Sequence, residues 1–155
     1  SYTVALDGAN AAVRVSALAA VNAVGDIRDA QGRIVAGTRK SEASAEFADS
    51  NALMKRATRG GFSRENTTLV CVATNALLTK AEARKLAQLG QLGVARAISP
   101  VNTMSDGDVV VALSIGRERA PIDALGVAAA EAVAEAIVRG VRLARTLGGV
   151  PGLQR

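Results

Sequence analysis

The sequence predicts an α/β or α+β domain built in layers, and three observations predict it. Two short apolar runs, "TLVCVAT" and "VVVALSI", have the length and density of buried strands. Each is followed by a longer stretch with helix signals, "TKAEARKLAQLGQLGVARAI" and the alanine-rich segment after Pro121. Hydrophobic residues make up 49% of the 155 residues but aromatics only 2%, so the core is made of small aliphatic side chains and its layers must pack closely. The length suits one domain with a real core.

Along the chain, "AAVRVSALAAVNAVGDI" (11–27) reads as extended structure, alternating at first and then wholly apolar, closed by Gly25-Asp26. "RDAQGRIVAG" continues it as a hairpin, with Ala30-Gln31-Gly32 near the turn and 33–36 returning. Composition then shifts. Residues 38–66, "TRKSEASAEFADSNALMKRATRGGFSREN", are polar, charged and without sustained period, and are expected to form a long exposed connection. Within it, 48–57 suits a short helix begun by Asp49 or Ser50.

Residues 68–74 are expected to be a central strand covered on both faces. Thr79 and Glu82 have capping-box spacing and open a helix whose stripe of Leu86, Leu89, Gly93 and Ala97 faces the core. Pro100 blocks its continuation, "NTMSDGD" forms a turn, and 109–115 is a second buried strand. A helix from Asp123 to about Leu147 ends at Gly148-Gly149, and Gly126 and Gly140 within it would admit another backbone. The chain opens almost at once on extended structure, and few helices are available to cover so apolar a set of strands. Part of the core is therefore expected to come from another chain or segment.

Composition excludes much. The net charge is +5, but the basic residues are scattered and one Tyr with two Phe gives no stacking platform, so nucleic-acid binding is not expected. No apolar run reaches bilayer length and no signal-peptide pattern opens the chain, so no membrane association and a cytoplasmic setting are expected. There is no histidine, and Cys71, expected to be a small buried hydrophobe, is the only cysteine. That removes Ser-His-Asp and Cys-His catalysis and His- or Cys-based zinc sites within this chain. No metal and no cofactor are expected. A base working near neutral pH must be a carboxylate, a lysine or an α-amine.

The stretch "GFSRENTTLVCVATNALLT" raises the question of why two hydroxyls follow Asn66 at the mouth of a strand. One answer is a plain strand start. The other is that Thr67 becomes a chain terminus. A threonine hydroxyl needs an adjacent base, and cleavage of the Asn66–Thr67 bond would give Thr67 an α-amine of its own, titrating near pH ~8. An oxyanion donor and carboxylates would complete such a site. Asn22, an amide inside an apolar run, is either a satisfied edge residue or that donor. Asp106 and Asp108, either side of Gly107, read from spacing alone as a turn.

Several blocks together carry a resemblance: "VNAVGD", "NTTLVCVATNALLTKAEARKLA", "GVARAISPVNTMSDGDVVVAL" and the terminal "GVPG". In order, from about Val13 to Gly152, they resemble the C-terminal half of the self-processing N-terminal-nucleophile hydrolases of the D-aminopeptidase/β-peptidyl aminopeptidase family, which includes the nylon-oligomer (6-aminohexanoate-oligomer) endohydrolases.

The resemblance implies a four-layer αββα sandwich, made as one precursor and cut into subunits that stay together. Residues 1–66 would end the α-subunit and 67–155 would form the β-subunit, within one domain and without a cofactor. Thr67 matches the nucleophile, Asn66 the residue before the cut, Asn22 the asparagine serving the oxyanion, and Asp106 with Asp108 the pair contacting the nucleophile. Threonine with two aspartates is similar to the nylon-oligomer branch. Implied partners are a small peptide or amide substrate, the N-terminal half of the precursor or a partner chain, and further αβ units in a homo-oligomer.

Two departures stand out. The half not matched here carries a further site tyrosine or lysine, and Asn102 stands where members often have histidine. The favoured activity is amide-bond hydrolysis by an autoprocessed N-terminal threonine. The alternatives are an acyltransferase of the ornithine acetyltransferase type on the same scaffold and a non-catalytic assembly module.

Overall fold

A computed structural model describes residues 1–41, 44–56 and 66–154. Its centre is β5 (Leu69–Ala76), whose side chains alternate between two environments. Val70, Val72, Thr74 and Ala76 are buried, while Leu69, Cys71 and Ala73 face the other way. β5 pairs antiparallel with β2 (Arg14–Ala20) and parallel with β7 (Val109–Glu118). β1 (Tyr2–Ala5) completes a four-stranded sheet in the order β1-β2-β5-β7.

A second, smaller sheet has the order β4-β3-β6, from Ile34–Ala36, Asp26–Arg28 and Ile98–Ser99. The predicted hairpin is its β3–β4 pair, closed by Gly32 at φ 76° and by Asp29, which accepts from the N–H groups of Gln31 and Arg33.

Two helices pack together on one face of the larger sheet. α2 (Lys80–Ala97) begins with the predicted capping box: Thr79 Oγ1 accepts from the Glu82 N–H, and Glu82 Oε2 accepts from the Thr79 N–H at 2.8 Å. α3 spans Ile122–Arg142. Gly93 sets the approach of the two helices, because a Cβ there would stand 2.3 Å from the Ala130 carbonyl oxygen. Leu86, Val94, Leu125, Val133 and Ile137 fill the space between helices and sheet and form the core with Val15, Val70 and Val72.

The α/β class expected from sequence is the class observed, and several details differ. Neither apolar strand is covered on both faces. On the face away from the helices, Leu18 is 62% exposed and Ile115 77% exposed, and Leu69, Val109, Val111 and Leu113 lie beside them. Cys71 is half-buried on that same face rather than in the core. The extended run 11–27 is broken, since β2 stops at Ala20 and β3 starts at Asp26, so Asn22 lies between strands. β1 and β6 carry no separate sequence signal.

α3 ends at Arg142, earlier than expected. The chain then closes a small loop in which Leu147 and Val150 pair around Gly148 and Gly149, both at positive φ. Gly126 meets the Leu89 side chain as a close neighbour. Gly140 has only Val21 at ordinary contact distance, so no backbone exploits it.

The expected long exposed connection is structured in part. α1 (Ser50–Arg56) forms within it, and Ser50 is fully buried. Asp26, also buried, accepts from the Ser50 N–H and Oγ at 2.7 Å each and from the Thr38 N–H at 3.2 Å. A buried carboxylate with those donors anchors both ends of the 38–50 arm to β3. The residues just before Asn66 lie outside the described residues. No helix among the described residues is long and apolar enough to cross a membrane.

Candidate active site

Thr67 sits immediately before β5, where three segments converge. Its backbone N–H donates to the Asn22 carbonyl oxygen at 2.8 Å. That bond, with the break between β2 and β3, brings the 21–25 segment beside the Asn66–Thr67 bond. The Asn66 side chain reinforces the approach, its Nδ2 donating to Asn22 Oδ1 at 3.4 Å. On the other side, Asn66 and Asp106 form a parallel bridge that carries the β5–β7 ladder past the strand end.

The 102–108 turn is built by its own polar side chains. Asn102 takes the left-handed conformation at φ 54°, which Asn tolerates better than most residues, and its Oδ1 accepts from Gln91 Nε2 of α2 at 2.8 Å. The Asp106 N–H donates to the Thr103 carbonyl, and Thr103 Oγ1 accepts from the Ser105 N–H. Asp106 then spends both carboxylate oxygens on bracing. Oδ2 accepts from Thr103 Oγ1 at 3.1 Å and Oδ1 from the Val24 N–H at 3.3 Å, fixing the turn to the segment that carries Asn22. Gly25 permits the close packing here, because a Cβ would stand 2.0 Å from the Pro100 carbonyl oxygen.

The Asn66 carbonyl is the most elaborated group in the site. Its oxygen accepts from Thr67 Oγ1 at 2.8 Å and from the Gly107 backbone N–H at 3.1 Å. The hydroxyl of one residue and the amide of a turn glycine thus meet on the carbonyl that joins residues 66 and 67. A Cβ on Gly107 would lie 2.8 Å from Thr67 Oγ1, so glycine is the residue that leaves the hydroxyl room. Asp108 Oδ1 accepts from the Thr68 N–H at 2.8 Å, one residue beyond Thr67.

The structure therefore brings Thr67, Asn66, Asn22, Asp106 and Asp108 into one place. In the uncut chain the two carboxylates accept from Thr103, Val24 and Thr68. Gly107 and Thr103 were missed in the sequence. Gly107 acts through its backbone, and its signal was the glycine flanked by two aspartates. No cluster of potential metal ligands occurs among the described residues. The site's chemistry is that of a hydroxyl held against a polarised amide, with carboxylates at one side.

Solved structures with this arrangement of elements define the class. A protein of Pyrococcus horikoshii overlays 95% of this chain on 40% of its own, with a TM-score of 0.65 and 25% identity. The L-aminopeptidase D-Ala-esterase/amidase of Ochrobactrum anthropi, described as a variant of the Ntn hydrolase fold, overlays 96% of this chain on 41% of its own, with a TM-score of 0.65 and 21% identity. The fold is thus that of the N-terminal-nucleophile hydrolases. An uncharacterized aminopeptidase of Mycobacterium tuberculosis is 35% identical over 101 residues, covering 56% of this chain and 29% of its own length. The model of peptidase family S58 matches residues 1–155, and the chain belongs to that family. It spans under a third of the length of the curated relatives it matches.

Proposed function

We propose that this chain carries the catalytic centre of a self-processing amide-bond hydrolase, an aminopeptidase or amidase, with Thr67 as its nucleophile. The observation that carries the reading is the Asn66 carbonyl oxygen, which accepts from both Thr67 Oγ1 and the Gly107 N–H. In the maturation step Thr67 Oγ attacks the Asn66 carbonyl carbon. The negative charge that develops on its oxygen is met by the Gly107 N–H. The C–N bond breaks, the hydroxyl proton passes to the Thr67 nitrogen, and an ester remains. Water hydrolyses that ester, leaving an Asn66 carboxylate and a Thr67 with free hydroxyl and free amine.

In turnover the amine is the base that histidine supplies elsewhere. It takes the proton as Oγ attacks a substrate carbonyl, then passes it to the leaving amine. Asn22 and the Gly107 N–H hold the oxyanion, and Asp108 orients the amine. Asp106 supports them by bracing the turn to the Asn22 segment. Water releases the acyl group and restores the hydroxyl.

Small amides suit this reading: N-terminal residues of peptides, β-peptides, or ω-amino-acid oligomers. Threonine with two aspartates favours the last of these. The two products of the cut, 1–66 and 67–155, would stay together as one domain because β5 is paired along its length with β2. The apolar sheet face at Leu18, Val111 and Ile115 would be covered by the remaining half of the precursor. The assembled units form a homo-oligomer in the cytoplasm.

Intact mass is the direct test. The wild-type protein yields a fragment beginning at Thr67, and Thr67→Ala stays whole and inactive. A cleaved Thr67→Ala protein overturns self-processing, and an uncut, inactive wild type leaves the assembly-module reading. Turnover of acetyl-ornithine, with transfer in place of hydrolysis, would favour the acyltransferase.

A further inference from the structure

Thr68 and Asp108 face each other across the parallel β5–β7 pair, one register step before Leu69 and Val109. The Val109 N–H donates to the Thr68 carbonyl at 3.0 Å, and the Thr68 N–H donates to Asp108 Oδ1 at 2.8 Å. Thr68 is only 1% exposed. Among the described residues, its Oγ1 and the second carboxylate oxygen of Asp108 are both buried and have no hydrogen-bond partner.

Folding does not account for this hydroxyl. Valine has the same branched shape, suits a strand equally, and would fill position 68 without burying a polar atom. A buried hydroxyl left unpaired costs about 1–3 kcal/mol, and the carboxylate that accepts from the N–H of the same residue has an unpaired buried oxygen as well. Thr68 directly follows the residue whose nitrogen changes most in the proposed maturation, and Asp108 is bonded to the Thr68 N–H. Before the cut, Thr67 has one N–H, which Asn22 accepts. After it, the same nitrogen carries up to three donors and needs new acceptors.

We propose that Thr68 is a positioning residue, whose hydroxyl donates to Asp108 and thereby sets how Asp108 holds the amine of the cleaved Thr67. The proposal rests on the nucleophile reading above. Once the amine is free, Asp108 turns its second oxygen toward it, and the Thr68 hydroxyl bonds the carboxylate. That donation withdraws part of the negative charge from the amine. Without it the carboxylate pulls harder on the ammonium form, and the amine gives up its proton at higher pH. Asp106 is bonded to Thr103 and Val24, and residues 21–25 bring no titratable side chain.

The test is the pH profile of kcat/KM for an amino-acid p-nitroanilide, in the full-length protein and in its Thr68→Val and Thr68→Ser variants. Thr68→Val should move the acid limb up by roughly 0.5–1 pH unit. Thr68→Ser keeps the hydroxyl and should leave the limb in place. Adding Thr68→Val to Asp108→Asn should shift the limb no further than Asp108→Asn does alone. An unmoved limb in a normally cut Thr68→Val protein overturns this inference alone, as does a Thr68→Ser limb that moves as far as that of valine. A misfolded Thr68→Val protein is replaced by Thr68→Ala, which also lacks the hydroxyl, read alone for the same shift and then paired with Asp108→Asn. Additive shifts there overturn the route through Asp108. A wild-type protein without a break before Thr67 overturns the nucleophile reading and this inference with it.

Discussion

The backbone N–H of Gly107 donates to the carbonyl oxygen of Asn66 at 3.1 Å, while the hydroxyl of the next residue, Thr67, reaches the same oxygen at 2.8 Å. Two donors on one carbonyl oxygen polarise the bond that joins residues 66 and 67. The first prediction concerns the glycine. Gly107→Ala places a methyl 2.8 Å from Thr67 Oγ1, a mobile side-chain end, so the chain should fold and the hydroxyl should rotate away. Self-cleavage should slow by roughly 10–100-fold, followed as the appearance of the 67–155 fragment on a denaturing gel. Cleavage at the wild-type rate would show that Gly107 leaves the geometry of attack unchanged.

The two aspartates should behave differently. Asp106→Ala removes the acceptor for Thr103 Oγ1 and the Val24 N–H, and should cost about 1–3 kcal/mol of stability along with slower maturation. Asp108→Ala should slow both maturation and turnover with the fold retained. Denaturant melts set beside fragment-release rates separate the two. Unchanged kinetics in Asp108→Ala would assign Asp108 to the turn alone.

Acid should weaken the start of α2 through Glu82. The N–H and hydroxyl of Thr79, donating to its carboxylate, hold its pKa below the ordinary 4.5. A depressed folded-state pKa contributes stability that is fully present above the ordinary value and is lost as pH falls through the lower one. Glu82→Gln should flatten that part of the stability curve below about pH 4.5 and leave the rest of its shape unchanged. Urea midpoints across pH 3–6 measure it, and an unchanged acid slope would exclude the contribution.

The α2–α3 contact should tolerate nothing larger than glycine at position 93. A Cβ there meets the Ala130 carbonyl at 2.3 Å, which is main chain and cannot step aside. Gly93→Ala should destabilise by about 1–3 kcal/mol, each kcal/mol lowering the melting temperature by about 2–4 °C. A melting temperature at or above wild type would mean that the helices separate without loss.

Local chemistry was the legible part of this fold. The Thr79–Glu82 box, the Gly32 turn and the core stripe of α2 follow from contacts within a few residues, so spacing alone reveals them. Strand burial was not legible. "TLVCVAT" and "VVVALSI" are apolar at every position, and nothing in such a run says that only one face meets helices of the same chain.

The site divides in the same way. Thr67 and Asn66 stand out because the chain holds no histidine and changes character there, whereas Asn22 and Asp106 gain meaning only from long-range closeness. The roles proposed for them rest on a resemblance spread over most of the chain. Gly107 and Thr68 stayed hidden because one works through its main chain and the other looks like a strand residue.

Thr67 lies at the head of β5, between a neighbour from before the proposed cut and one from after it: β2 on one side, β7 on the other. Once the peptide bond is broken, the molecule loses its way back from heat. Two pieces drift apart on melting, must find each other again by diffusion, and no longer share the tether that first aligned them. Its endurance is then a matter of how slowly it comes undone, and a calorimeter should read a transition that depends on scan rate and does not reappear on the second heating.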